Sequence, residues 1–212
     1  MTDIQSTYNN IAKEFSDSRY RVWKSVAHFL DEIQLNTINA DIGCGNGKNM
    51  KYRKDIQIIG MDLCANFVDI CKQSKLNVIQ GNVLNIPFES NYFDNVISIA
   101  VIHHLKTKAE RVQAIKELIR ITKPGGRILI YVWAFEQDEN SKRKFETQDV
   151  LVPFRLKNSD KSFDRFYHVY VYGELENEVI NNNENVYNEN VYIEKVGYEL
   201  SNHFIIIKKL YL

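Results

Sequence analysis

The chain has 212 residues, is 44% apolar, and carries 27 basic against 27 acidic side chains, the proportions of an ordinary globular protein with one well-buried core. That balance excludes whole-molecule attraction to nucleic acid, so a polyanion would need a local basic patch. No apolar run approaches the roughly 20 residues that cross a bilayer, and no basic-then-apolar leader follows Met1; the expectation is no membrane partner and a cytoplasmic location, with the nucleus also open.

In chain order, Ile4, Tyr8, Ile11 and Phe15 recur at helical spacing, as do Val22, Val26, Phe29, Leu30 and Ile33, predicting two helices within a cover of residues 1–36. The pattern then changes to short apolar runs, "TINADI", "IQIIGMD", "LNVIQGN", "FDNVISIAVI" and "GRILIYVW", which read as strands. Between them "CANFVDICKQS" and "AERVQAIKELIRIT" have the period of helices, the second stopped by Lys123-Pro124-Gly125-Gly126. Strands alternating with helices predict a parallel sheet covered on both faces. Residues 134–171 read as irregular. Then come a short helix, "GELENEVI", and two strand-like runs, "VYIEKVGYEL" and "HFIIIKKLYL", that suggest a hairpin. The expected fold is α/β and Rossmann-like: a mostly parallel seven-stranded sheet ending in an antiparallel hairpin, with helices on both faces. It divides into the N-terminal cover, a core over 37–133, an insertion over 134–171, and a helix and hairpin over 172–212. The Asn-rich stretch "NNNENVYNEN" reads as a solvated loop.

Chemistry concentrates first in "ADIGCGNGK", which follows a strand and opens toward a predicted helix. Gly43, Gly45 and Gly47 let the backbone turn sharply and a ligand approach closely. Their GxGxG spacing is neither the dinucleotide nor the Walker pattern, so phosphate cradling is the weaker reading. Asp62 closes the second strand, where a carboxylate accepts from both ribose hydroxyls of an adenosine-containing ligand. Asp41, just before the glycines, repels a pyrophosphate and welcomes an ammonium or sulfonium, which favours S-adenosyl-L-methionine over a nicotinamide. The three cysteines, Cys44, Cys64 and Cys71, have no CxxC spacing and read as reduced thiols, neither a disulfide framework nor a zinc knuckle.

Residues 37–133 resemble, motif by motif, the class I S-adenosylmethionine-dependent methyltransferases. The resemblance implies Asp41 to Gly47 around the methionine and sulfonium end, Asp62 on the ribose, Leu63 beside the adenine, Asn82 and Val83 at its edge, and Ala100 in the cofactor wall. Asn82 stands where the family usually has aspartate; its oxygen is a weaker, neutral acceptor. "VISIAVIHHL" becomes the fourth strand, ending beside the glycine loop. On an extended segment His103 and His104 point to opposite sides, which argues against joint metal chelation: one faces the methyl group, the other the packing behind it.

Beyond the cofactor motifs, "YNNIAKEFSDSRYRVW", "VPFRL", "RFYHVYVYGELENEV" and "GYELSNHF" make the chain similar to the eukaryotic tRNA methyltransferases that esterify the carboxymethyl group of wobble uridine. Departures are the Asn-rich insertion, Asn82, Phe154 and Phe204. The resemblance implies Arg19, Tyr20 and His103 orienting a carboxylate, Trp133 with Trp23 or Tyr8 stacking on a flipped base, and Arg165, Tyr167 and His168 meeting the anticodon loop or lining the rim. It further implies a small zinc-binding activator subunit added to a sheet edge, in a heterodimer whose metal belongs to the partner. The interleaved basic and aromatic residues of "SKRKFE" and "PFRLKNSDKSFDRFYH" suit phosphates and unstacked bases, and equally suit a solvated loop. By themselves the core motifs also fit a methyltransferase for a small molecule, such as a quinone or lipid precursor, or a cofactor-binding subunit without turnover.

Overall fold

The computed structural model describes residues 4–17, 21–157, 159–180 and 191–211. Its architecture follows from the middle of the sheet, where Ile128, Ile130 and Val132 are buried on one face of a strand and Leu129 and Tyr131 on the other. A strand apolar on both sides requires cover on both sides. α4 (Lys108–Ile121) and α5 (Glu174–Ile180) supply it on one face through Ala114, Ile115, Leu118, Leu175 and Val179. α2 (Lys24–Asp31) and α3 (Ala65–Gln73) supply it on the other through Val26, Phe29, Leu30 and Val68. Thr107 and Glu110 close a reciprocal capping box that starts α4.

Five parallel strands carry the core: β1 (Ile38–Ile42), β2 (Gln57–Asp62), β3 (Val78–Gln80), β4 (Phe93–Ile99) and β5 (Thr122–Trp133). β8 (Val191–Glu199) and β9 (Asn202–Lys209) add the antiparallel hairpin, giving the order β3-β2-β1-β4-β5-β9-β8. The chain leaves β1 in one direction and returns to its other side at β4. Ligands bind at such a reversal, outside the carboxyl ends of the strands.

Three expectations are corrected. The fourth strand ends at Ile99, and His103 and His104 lie on a one-turn 3₁₀ helix, Ile102–His104, so alternation along a strand does not separate their rings. No helix follows the glycine loop; residues 48–52 form turns, and of "GKNMKYR" Met50 is the apolar side chain buried in the core. The stretch read as irregular contains an antiparallel ribbon, β6 (Asp149–Arg155) and β7 (Ser162–His168). What looked like loop composition is period-two alternation, with Phe163, Arg165 and Tyr167 on one face of β7 and Asp164, Phe166 and His168 on the other.

α1 (Ile4–Asp17) packs against both α3 and β7. Toward α3, Gln5 Nε2 donates to the Leu63 carbonyl at 3.2 Å and Asn9 Oδ1 accepts from Cys64 Sγ at 2.8 Å. Toward the ribbon, Glu14 Oε2 accepts from the Lys157 amide at 2.7 Å. The Asn-rich segment 181–190 lies outside the described residues, as do Arg19 and Tyr20.

Candidate active site

A cavity of about 560 Å³ opens at the β1–β4 reversal under α1 and the ribbon. Its cofactor half is built on the glycines. Gly43, at φ 81°, has its vacant Cβ position against Val101, so only glycine fits. Gly45, at φ 54° and on the cavity wall, has nothing within 4 Å of where a Cβ would stand. Gly47, at φ 72°, does not line the cavity, and its vacant Cβ position faces Leu76 and Cys71.

Asp62 pins this loop, Oδ2 accepting from the Gly45 amide at 2.8 Å and Oδ1 from the Cys64 amide at 2.9 Å. A carboxylate offers about four acceptor positions, so both oxygens retain capacity for hydroxyl donors. Asp41 is fully buried behind the loop, and neither oxygen has a hydrogen-bond partner among the described residues. Burial pushes its carboxyl up to about 7 against the opposing influence of Asn49 and Lys48. Asn49, unremarked in the sequence, also has a buried side-chain oxygen without a partner and reaches the cavity wall. On the far side Leu63, Asn82 and Val83 line the cavity. Asn82 Oδ1 already accepts from the Leu84 amide at 2.9 Å, leaving one lone pair for an amino group. Ala100 closes the floor in the left-handed region at φ 63°, a conformation costing roughly 1–2 kcal/mol for a residue with a side chain.

The two histidines both line this cavity, with ring centroids 4.6 Å apart and planes near perpendicular. The expectation that one would turn away is corrected. Backbone groups set their tautomers. His103 Nδ1 accepts the Trp133 amide at 2.8 Å, so the ring proton of neutral His103 sits on Nε2. His104 Nδ1 faces the Phe166 carbonyl at 2.8 Å and therefore carries the proton, leaving Nε2 to accept from Tyr8 Oη at 2.9 Å. Burial drives His103 well below the usual histidine range and His104 down to about 4. Both are neutral at physiological pH.

The remaining wall is aromatic and cationic. Tyr167 packs against His104 at 4.4 Å, Trp133 at 4.7 Å and His103 at 5.1 Å. Arg165 is 6% exposed, and its guanidinium lies 5.3 Å from the ring centroids of both Phe154 and Tyr167. Its Nε has no hydrogen-bond partner and no ion pair engages it among the described residues. Sequence reasoning put Arg165 at the rim or on RNA; the structure puts it inside. Trp23 also lines the cavity, 5.2 Å from Tyr131 with Lys48 5.0 Å above its ring. His168 is outside the cavity wall, and both its nitrogens face carboxylates.

Comparison with known proteins agrees with this geometry. Residues 40–130 match the methyltransferase domain family. A tRNA (carboxymethyluridine(34)-5-O)-methyltransferase of Schizosaccharomyces pombe is 36% identical over 97% of this chain and 96% of its own length. The chain belongs to this family of tRNA methyltransferases. A second member, from Xenopus tropicalis, is 32% identical over 98% of this chain, which spans only 41% of that longer protein. Among solved structures, the CcbJ methyltransferase of Streptomyces caelestis aligns over 99% of both chains with a TM-score of 0.74 at 10% identity. A chain from the complex between the Haloferax volcanii Trm112 methyltransferase activator and a methyltransferase aligns over 99% of both chains with a TM-score of 0.72 at 12% identity. At such identities the likeness establishes the class I methyltransferase fold.

The residues fit the family's methyl donor, S-adenosylmethionine. The open space at Gly45 admits a backbone-hugging ligand, the orphaned Asp41 and Asn49 oxygens suit a cationic end, and Asp62 suits a diol.

Proposed function

We propose that this chain methylates the carboxylate of a carboxymethyl group on the wobble uridine of tRNA, giving the methyl ester. The observation that carries the reading is Arg165, an enclosed cation without a carboxylate partner among the described residues. An uncompensated buried charge costs several kcal/mol; a substrate carboxylate relieves that cost where a neutral small molecule would not. S-adenosylmethionine supplies, when bound, a methyl group on cationic sulfur. Arg165 holds one carboxylate oxygen, and His103 Nε2–H is the neighbouring neutral donor. A carboxylic acid with a pKa of about 4 is already ionised, so no side chain need act as a base. Accordingly neither neutral histidine is asked to accept a proton. Trp133 and Tyr167 offer the aromatic planes that a flipped-out base requires. Arg19 and Tyr20 retain the orienting role implied by the family resemblance.

Among the described residues no helix is long and apolar enough to cross a membrane; the proposed work on tRNA is placed in the cytoplasm on the substrate reading alone. The fold-level likeness to the Haloferax volcanii chain supports a heterodimer with a small activator subunit, any zinc lying in the partner. Expressed alone, the chain should then be poorly soluble or inactive, and co-expression with its activator should restore both.

The direct test offers the purified protein tRNA bearing 5-carboxymethyluridine and methyl-labelled S-adenosylmethionine. Base-labile label should appear in that tRNA and not in tRNA with unmodified uridine; equal labelling of both would refute the substrate.

A further inference from the structure

His168 ends β7 beside the substrate wall, yet its ring turns away from the cavity and into a set of carboxylates. Nδ1 lies 2.7 Å from Asp149 Oδ1 on β6, and Nε2 lies 2.8 Å from Glu174 Oε1 on α5. An ionised carboxylate only accepts, so both nitrogens must carry protons and the ring must be an imidazolium. The Asp149 side chain is 61% exposed. Burial works against a charge on Glu174, but His168 and the neighbouring donors hold its carboxyl below the ordinary value. Glu174 accepts from Gln148 Nε2 at 2.6 Å and the Val171 amide at 3.2 Å, with Arg111 Nη2 3.7 Å away.

The other groups facing the ring have partners of their own: Gln148 Nε2, 3.4 Å from His168 Nε2, donates to Glu174 at 2.6 Å and to the Val169 carbonyl at 3.2 Å. Arg111 of α4 is paired with Glu178 of α5 at 3.0 Å. Tyr170, 5.1 Å from the imidazole, donates to Glu178 at 2.9 Å. Burial opposes a charge on His168, and the two carboxylates outweigh it, holding the group above the usual histidine range.

Along β7, Tyr167 and Arg165 point to the opposite face and form the cavity wall. We propose that His168, as an imidazolium bridging β6 and α5, is the positioning residue that holds the β6–β7 ribbon, and with it Arg165 and Tyr167, in place. The clamp depends only on the geometry around His168; its consequence for methyl transfer rests on the carboxylate reading above. A raised folded-state pKa contributes stability that is complete below the unfolded value and lost as pH rises through the folded one. The ribbon therefore loosens on the alkaline side.

Two measurements on the full chain, with its activator if solubility requires it, test this. Nitrogen NMR of the histidine rings should show both His168 nitrogens protonated at neutral pH, with a midpoint above about 6.5. In His168→Gln and in Glu174→Gln, amide exchange across 149–155 and 162–168 should rise about tenfold or more, with β1 to β5 and cofactor affinity unchanged. In Glu174→Gln the alkaline loss of methylation rate should move to lower pH. A singly protonated ring at neutral pH, or ribbon exchange unchanged in both variants, overturns the clamp. A doubly protonated ring and a loosened ribbon in a protein that leaves carboxymethyluridine untouched uphold the clamp and remove the substrate reading instead.

Discussion

The Trp133 amide donates to Nδ1 of His103 at 2.8 Å, so the final residue of β5 dictates which nitrogen of that histidine carries the proton. With His103 pushed well below the usual range by burial, the group is a neutral donor and has no charge to lose. At saturating cofactor, the rate of methyl transfer should show no acid limb near the ordinary histidine value of about 6.5. A limb at that pH in the wild type that disappears in His103→Gln would show a titrating catalytic histidine and contradict the assignment.

Arg165 offers a sharper separation of stability from activity. Removing one partner of a buried charge pair costs roughly 2–5 kcal/mol, so Arg165→Met should lower kcat/KM on carboxymethyluridine tRNA by about 30-fold to several thousand-fold. The free protein, relieved of an enclosed cation with no counter-charge among the described residues, should keep or gain thermal stability. Cofactor affinity should be unchanged. A lower Tm with proportional loss of cofactor binding would make Arg165 a structural residue.

Asp41 should couple cofactor binding to protons. Its carboxyl sits at about 7 in the free protein, so near neutral pH a large share of molecules carry the proton. A cationic ligand end favours the carboxylate, and binding must then release protons. Calorimetry in buffers of different ionisation enthalpy should detect that release around pH 7, with affinity falling as pH drops below this value. In the free protein the sign is opposite: the raised carboxyl contributes stability below its unfolded pKa, lost as pH rises through about 7. No release, or proton uptake, would mean that Asp41 does not face the cationic end.

Two glycines two residues apart should fail in different ways. Gly43→Ala drives a methyl group into Val101 and should unfold the loop, visible as a lowered Tm. Gly45→Ala meets no protein atom and should cost only about 1–2 kcal/mol of stability for its left-handed backbone. Its methyl group occupies ligand space, so cofactor binding should fall by an order of magnitude or more while the protein remains folded. Equal destabilisation by both variants would place the ligand elsewhere.

The cofactor half was legible because its signals are local. A strand, a glycine turn and a carboxylate at the next strand tip are read within two dozen residues, and Asp62 and Gly45 meet through one hydrogen bond. The substrate half was less legible because its pattern is non-local and not apolar. The Phe163, Arg165, Tyr167 alternation carries a cation in its middle, so it reads as composition until β6 pairs with it. His168 has no signal of its own, since its partners lie on another strand and a helix. The missing helix after Gly47 and the turn at Ile102 reflect the same limit, because which apolar residues find a surface to cover is settled only when the sheet assembles.

The most direct measurement of the central claim, a methyl group delivered to a carboxylate held by Arg165, is mass spectrometry of wobble nucleosides from cells lacking the protein and from cells carrying only Arg165→Met. Both should accumulate 5-carboxymethyluridine at the expense of its methyl ester, and restoring the wild-type chain should reverse the ratio. An unchanged nucleoside profile in the cells lacking the protein would contradict the account.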